Sequence, residues 1–444
     1  GCVFKPAIEC RDSTINDKMQ ETGYEYITKV MFARDALVEM AEVKQVLPIA
    51  KKIPNEKRYF LLDGIFACKK FGPLSAEDLN DFDTKCVNFE RDGITTSNIN
   101  MPFTLRGLSA IYIPFGGDSV ASTITGLANQ YINNPSSNAV KNKIGLIVWG
   151  LSDVLENTVV PMNKLGLIHL DLKGDNMLIN KNALEENKMP YVKIIDWGLA
   201  GIVPSSGISP EAKDKPLQFN VPFSNILFNK RLVENVIRGD CYSDEISSAQ
   251  INTIATQIVV KMVKEWSGHA EYISQNLQQY LGPHTKASGT IHELDSKAEC
   301  TTVTITVIVE YISAVIRKYL KKNDSNGLYQ CVFNSDAYFQ EVYRYNCDVW
   351  GLLTAFQNFI EVYTSYSKFR EDILARTMSN IMFKYCFSPT YAAERIPVGE
   401  VIEDMHKLAG LCGINRMPAT ENATVARPTP PNVAPSVSKL QRKN

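Results

Sequence analysis

His169-Leu170-Asp171-Leu172-Lys173-Gly174-Asp175-Asn176 is followed after twenty residues (196 minus 176) by Asp196-Trp197-Gly198. Two short apolar runs lie between these motifs, Met177-Leu178-Ile179 and Val192-Lys193-Ile194-Ile195, on either side of a polar insert. Runs of this length with polar flanks read as strands. A chain so written is expected to present Asp171, Asn176 and Asp196 at one edge of a small sheet. Ahead of them, Ile144, Ile147, Val148, Leu151, Val154, Leu155 and Val159 recur at helical period between about Asn142 and Leu165, so a helix leads straight into His169.

The residue types suit phosphoryl transfer. A carboxylate, Asp171, can accept the hydroxyl proton as a nucleophile attacks, and a lysine two residues on, Lys173, can neutralise charge on the moving phosphoryl group. The amide oxygen of Asn176 and the carboxylate of Asp196 can hold Mg²⁺. A His-x-Asp pattern alone is equally a capped loop. The Asp-Trp-Gly triplet at strand spacing is what favours the chemical reading.

In these residues the chain resembles the eukaryotic-type protein-kinase superfamily, whose catalytic loop reads H-R-D-L-K-x-x-N and whose metal loop reads D-F-G. It departs at Leu170, where that family has Arg, and at Trp197, where it has Phe. Trp197 can fill the same apolar slot, whereas Leu170 removes a cation that in many kinases grips a phosphorylated activation segment. Ser205, Ser206 and Ser209 are then hydroxyls whose phosphates would lack that partner, with Lys213 and Lys215 as possible substitutes, and constitutive activity is expected. Asp348-Val349-Trp350-Gly351 resembles the start of the helix that anchors the catalytic loop, although the glycine is displaced. Its aspartate is expected to cap backbone N–H groups of that loop. Gln218-Phe219-Asn220-Val221-Pro222-Phe223-Ser224 stands in the place of the A-P-E motif and does not match it. Pro222 lies 126 residues before Asp348 (348 minus 222), where kinases have about a dozen, which implies an insertion of roughly 110 residues.

The resemblance implies an α+β, bilobal kinase-like fold. Residues 1–113 would be a small β-rich N-lobe, 114–231 the hinge and first part of a helical C-lobe, 232–338 a helical insertion, 339–412 the rest of the C-lobe, and 413–444 a disordered Pro-rich tail. Gly1 to Lys29 read as strands. Gly1-Cys2-Val3 resembles the end of the G-x-G-x-x-G-x-V phosphate loop, with the first strand and earlier glycines missing. Lys29 resembles the lysine that bridges the α- and β-phosphates, although a lone strand lysine is usually a solvated edge charge. Ile27 stands where that family has Ala and narrows the adenine pocket. A helix follows, with Asp35 as N-cap, a stripe of Leu37, Met40, Ala41, Val43 and Leu47, and a stop at Pro48. Glu42, thirteen residues after Lys29 (42 minus 29), is the expected partner of that lysine, with Glu39 as runner-up. Ser109 to Ile113 reads as a strand closed by Pro114-Phe115-Gly116-Gly117, a hinge with Ile111 near the gatekeeper position and Asp118 placed for the ribose hydroxyls. Pro114 has no N–H to give adenine, so apolar walls that include Val3 and Leu178 would carry more of the binding.

With 47 basic and 48 acidic side chains the formal net charge is -1, and no long-range field draws the chain to nucleic acid. Ten scattered cysteines without a Cys-x-x-Cys pair read as reduced thiols of a cytoplasmic protein. The longest apolar run, Thr302 to Ile316, is interrupted by Glu310 and hydroxyls, and no membrane span or signal peptide is read, although the chain begins at Gly1 without a methionine.

The fullest expectation is therefore an ATP- and Mg²⁺-dependent protein kinase acting on Ser/Thr hydroxyls of a protein substrate. Lys173 favours Ser/Thr over tyrosine. The phosphate-loop ending, the divergent segment and the insertion together look like kinases of large nucleocytoplasmic DNA viruses, which would place the chain in host cytoplasm or virion. A pseudokinase scaffold binding a partner through 232–338, and a small-molecule phosphotransferase, are the alternatives.

Overall fold

The computed structural model describes residues 1–203, 219–240, 246–265, 302–325, 328–363 and 366–420. Ser205, Ser206, Ser209, Lys213, Lys215, Gln218, the middle of the insertion and most of the Pro-rich tail lie outside them. The chain is α+β, with many helices and small antiparallel sheets, and divides into two compact units, Gly1–Val38 with Asp63–Phe115, and Glu39–Leu62 with Gly116–Glu421.

The first unit is built on an antiparallel sheet of β1 (Cys2–Phe4), β2 (Tyr26–Phe32), β3 (Phe66–Cys68) and β4 (Leu108–Pro114), in the order β1-β2-β4-β3. Strand alternation turns Tyr26 and Val30 of β2 inward with Cys2, Phe4, Cys68, Ala110 and Tyr112, against Phe82 and Phe89. Phe4, Phe82 and Phe89 stack in sequence at centroid distances of 6.4 and 6.1 Å.

Three expectations fail in and around this unit. Gly1 to Lys29 is not all strand, because helix α1 (Ser13–Thr22) separates β1 from β2; the Asp12 side chain caps Thr14 N, and Gly23 at φ 66° ends it. That helix buries no residue fully, so it leaves little periodic apolar signal. The second is the state of the cysteines: Cys2 is bonded to Cys86 and Cys10 to Cys68, while Cys347, Cys386 and Cys412 are free and buried. Sequence separations of 84 and 58 carry no spacing motif. The third is helix α2 (Ala33–Ala50), which starts before Asp35 and runs through Pro48. Leu37 and Val38 are 67% and 53% exposed, and its buried face in the second unit is Val46 and Ala50, with Val43 and Leu47 packed beside them.

In the second unit α3 (Val120–Asn133) and α4 (Asn138–Val154) start on the caps Ser119 and Ser137. A π-helical turn, Leu155–Val159, and a short helix, Val160–Lys164, extend α4 toward His169 as expected. By length and hydropathy Asn138–Lys164 could cross a membrane, yet 67% of its apolar window is buried inside the protein, as in a core helix. Strand β5 (Asp118–Ser119) pairs with β7 (Met177–Ile179), which pairs with β8 (Lys193–Ile194), while β6 (Leu167–Ile168) pairs with β9 (Gly201–Ile202). These short pairs hold the two acidic motifs.

The stretch 232–338 is not wholly helical. Helices α5 (Lys230–Asp240), α6 (Ser248–Glu265) and α7 (Thr302–Tyr319) are followed by a hairpin of β10 (Leu320–Ser325) and β11 (Leu328–Phe333). The Asn-Gly dipeptide between those runs was its sequence signal. Ile308, Tyr311, Ile312, Val315 and Ile316 of α7 belong to the main core of the second unit. The remaining long helices are α8 (Arg344–Leu353), α9 (Ile373–Tyr385) and α10 (Val398–Leu411).

Candidate active site

The segment His169 to Asn176 is tied to α8 by one buried carboxylate. Asp348 Oδ2 accepts from His169 N at 3.0 Å and from Asn163 Nδ2 at 2.9 Å, and its Oδ1 accepts from Leu170 N at 3.0 Å. The expected capping role of Asp348 is met. A side chain added at Gly351 would run into the Leu172 carbonyl, so the displaced glycine is what lets α8 lie against the loop. Leu170 and Asp196 both sit in the left-handed region, at φ 62° and 64°. Such backbone is disfavoured for non-glycine residues and is kept only where surrounding contacts impose it; for Leu170 the Asp348 bond is one of them.

Asp171 receives donors on each carboxylate oxygen. Asn176 Nδ2 donates to the Asp171 backbone carbonyl at 2.8 Å and to Oδ2 at 3.0 Å, Asn220 Nδ2 donates to Oδ1 at 2.8 Å, and Lys173 Nζ lies 3.6 Å from Oδ2. His169 Nε2–H donates to Ile195 O at 2.9 Å while its Nδ1 accepts from Asp171 N at 3.3 Å, and these two bonds fix the tautomer. Ile195 N donates to Asn176 O at 3.0 Å, which joins the two motifs through their backbones. With its nitrogen committed to Asp171, the Asn176 amide has its oxygen directed elsewhere. Asn176 and Asp196 each offer an oxygen of the kind that Mg²⁺ takes, an ion that needs few protein ligands because it keeps several waters and phosphate oxygens in its shell. Among the described residues no group of three or more His, Cys, Asp or Glu could hold a metal unaided.

Trp197 is 4% exposed, its ring 4.7 Å from that of His169 and 5.6 Å from that of Phe60. Its indole N–H has no hydrogen-bond partner among the described residues. The carboxylates of Asp196 and Glu42 each come to 3.6 Å from where a Cβ on Gly198 would stand, so the structure brings Glu42 to the Asp196-Trp197-Gly198 triplet.

Of the other expected residues, Val3, Lys29 and Ile111 lie in one register row across β1, β2 and β4. Ile27 shares their face of β2. Lys29 is therefore on an interior strand and not at a sheet edge. Gly1 lies just ahead of β1, where a Cβ would stand 2.9 Å from Val30 O. In the second unit Asp118 is ion-paired with Lys181 at 3.3 Å, and Leu178 packs beside Gly116, where a Cβ would also strike Leu61.

Asn220 was not legible from sequence. It lies in the segment that matches no motif, and a lone asparagine there reads as a turn residue. No protein-family model matches the chain, and no curated protein is significantly similar to it.

Proposed function

We propose that this chain is a bilobal protein-kinase-like enzyme that transfers the γ-phosphoryl group of ATP, with Mg²⁺, to a serine or threonine hydroxyl of a protein. The observation that carries this reading is the Asp171 carboxylate, held by Asn176 and Asn220 with Lys173 beside it, on a loop clamped by Asp348.

Asp171 accepts the hydroxyl proton as the nucleophile attacks, and Lys173, 3.6 Å from it, offsets negative charge developing on the phosphoryl oxygens. Asn176 and Asp196 would hold Mg²⁺, which supplies charge neutralisation on the phosphates when bound. In the first unit, Lys29 is the proposed phosphate contact, with Gly1, Val3, Ile27 and Ile111 as nucleotide contacts. Asp118 and Leu178 are the proposed ribose and adenine contacts of the second unit, and Asp118 must exchange its Lys181 pair to serve. Glu42 is the proposed organiser of the phosphate-binding lysine. The disulfides Cys2–Cys86 and Cys10–Cys68, with Cys331 disulfide-bonded as well, fit maturation in oxidising surroundings better than residence in reducing cytoplasm alone.

Incubation of the full-length protein with γ-labelled ATP, Mg²⁺ and a Ser/Thr-rich protein should give phosphoserine or phosphothreonine on the acceptor, at a rate that chelation of Mg²⁺ removes. Label appearing only on small alcohols, or nowhere, would contradict the reading.

A further inference from the structure

We propose that Asn220 is a positioning residue for Asp171 and that the inserted helix α7 keeps it in place, so the insertion is part of the catalytic assembly and not a detachable arm. The inference rests on Asp171 being the base.

Asn220 is 2% exposed, and its amide donates to the one Asp171 oxygen that Asn176 does not reach. A carboxylate bonded on one oxygen can still turn about its Cβ–Cγ bond; bonded on both, it cannot. A base must point one lone pair at the incoming hydroxyl, and misplacement by even an ångström can slow such a step a hundredfold or so. Asn220 supplies the second fixed point.

The segment that carries Asn220 has no periodic structure of its own to hold it. Phe219 O accepts from Trp350 Nε1 at 2.7 Å, and Trp350 stands two residues after Asp348 on α8, so one helix fixes the catalytic loop and this segment together. Past Pro222 a fully buried 3-10 turn, Phe223–Phe228, continues the chain. The Phe223 ring meets Tyr311 of α7 edge-on at 5.4 Å, and also Trp350 at 5.1 Å and Phe387 at 5.6 Å. Tyr338 Oη donates to Ser224 Oγ at 2.6 Å. Tyr311 and Tyr338 both come from the stretch 232–338, so the segment that aims Asp171 rests on the insertion.

The test measures transfer kinetics, Mg²⁺-ATP binding and melting for Asn220→Ala, Asn220→Ser, Tyr311→Leu and the Asn220→Ala/Tyr311→Leu pair. Asn220→Ala should lower kcat at least tenfold with KM for ATP within twofold of wild type, and Asn220→Ser, which restores a donor, should recover part of the loss. Tyr311→Leu should lower kcat in the same way, and the pair should be no worse than the worse single variant, because both break one linkage. Should Tyr311→Leu fail to fold, Tyr338→Phe, which deletes the one hydroxyl that meets Ser224 Oγ and Ala392 O, takes its place with a smaller kcat loss. Turnover of Asn220→Ala within twofold of an active wild type, or multiplicative losses in the pair, would overturn the proposal and leave the kinase reading standing. A readout independent of activity is the side-chain amide resonance of Asn220 in selectively labelled protein. It should move on Asp171→Ala and on Tyr311→Leu, and an unmoved signal in either overturns the proposal even if no transfer is found.

Discussion

The two units secure their residues by different means. In the first, the row Val3, Lys29 and Ile111 is placed by strand register, and the sheet beneath is backed by a small core and two disulfides. In the second, the acidic motifs lie on irregular backbone, and buried polar side chains hold it: Asp348 under the loop, with Asn176 and Asn220 on Asp171. A unit with few apolar residues gains stability from covalent links across long loops, because these restrict the unfolded chain. A unit with a large core can bury polar groups at its site, provided each finds a partner.

The largest effect that separates the two follows from the pairs Cys2–Cys86 and Cys10–Cys68, which both lie within the first unit. Closing loops of 84 and 58 residues is worth about 4 kcal/mol each on chain-entropy grounds. Cys2→Ser/Cys86→Ser and Cys10→Ser/Cys68→Ser should therefore strip hydrogen-exchange protection from β1, β2 and β4 while leaving α7 and α8 protected. Equal loss in both units would break the comparison.

Next in size is Asp348→Asn. The amide keeps the shape but turns one acceptor into a donor, so a buried N–H of His169 or Leu170, or the Asn163 amide, loses its partner. An unsatisfied buried group costs about 1–3 kcal/mol. Chemical denaturation should show a loss of about that size with the slope unchanged, and transfer should fall with it; a variant as stable as wild type would mean that the loop does not depend on this clamp.

Legibility from sequence divides along the same line. The strands around Lys29 and Met177 to Ile179, and the helix before His169, showed in apolar period because each buries one face. Asp171, Asn176 and Asp196 stood out because residue type and spacing suit one chemistry, and the structure bonds Asn176 to Asp171. The disulfides, the Asn220 amide and the Phe223 to Tyr311 contact were not, since each joins residues far apart in the chain and nothing local in sequence records a partner. The polar helix α1 and the hairpin after α7 were missed for the opposite reason: their signals are local, in caps and a turn dipeptide, but weaker than the apolar pattern around them.

The smallest effect concerns pH and is confined to the second unit. His406 of α10 stacks on Trp149 of α4 at 3.7 Å and shares a hydrogen bond of 3.1 Å with Ser152. Burial pushes its pKa below the ordinary 6.5, with Glu156 opposing in part. A histidine so depressed contributes stability that is whole above about pH 6.5 and is lost as pH falls through the lower folded value. Melting of wild type should drop between pH 7 and 5 more steeply than that of His406→Gln; parallel curves would show that this histidine titrates alike folded and unfolded.

The most direct measurement is a single-turnover comparison of wild type and Asp171→Asn at saturating Mg²⁺-ATP, with nucleotide binding followed in the same samples. Removing a general base from a carboxylate-dependent transfer should slow the chemical step about a thousandfold, while Mg²⁺-ATP affinity stays within twofold because Asn176, Asp196 and the first unit are untouched. Turnover near the wild-type rate would contradict the assignment of Asp171 as the base.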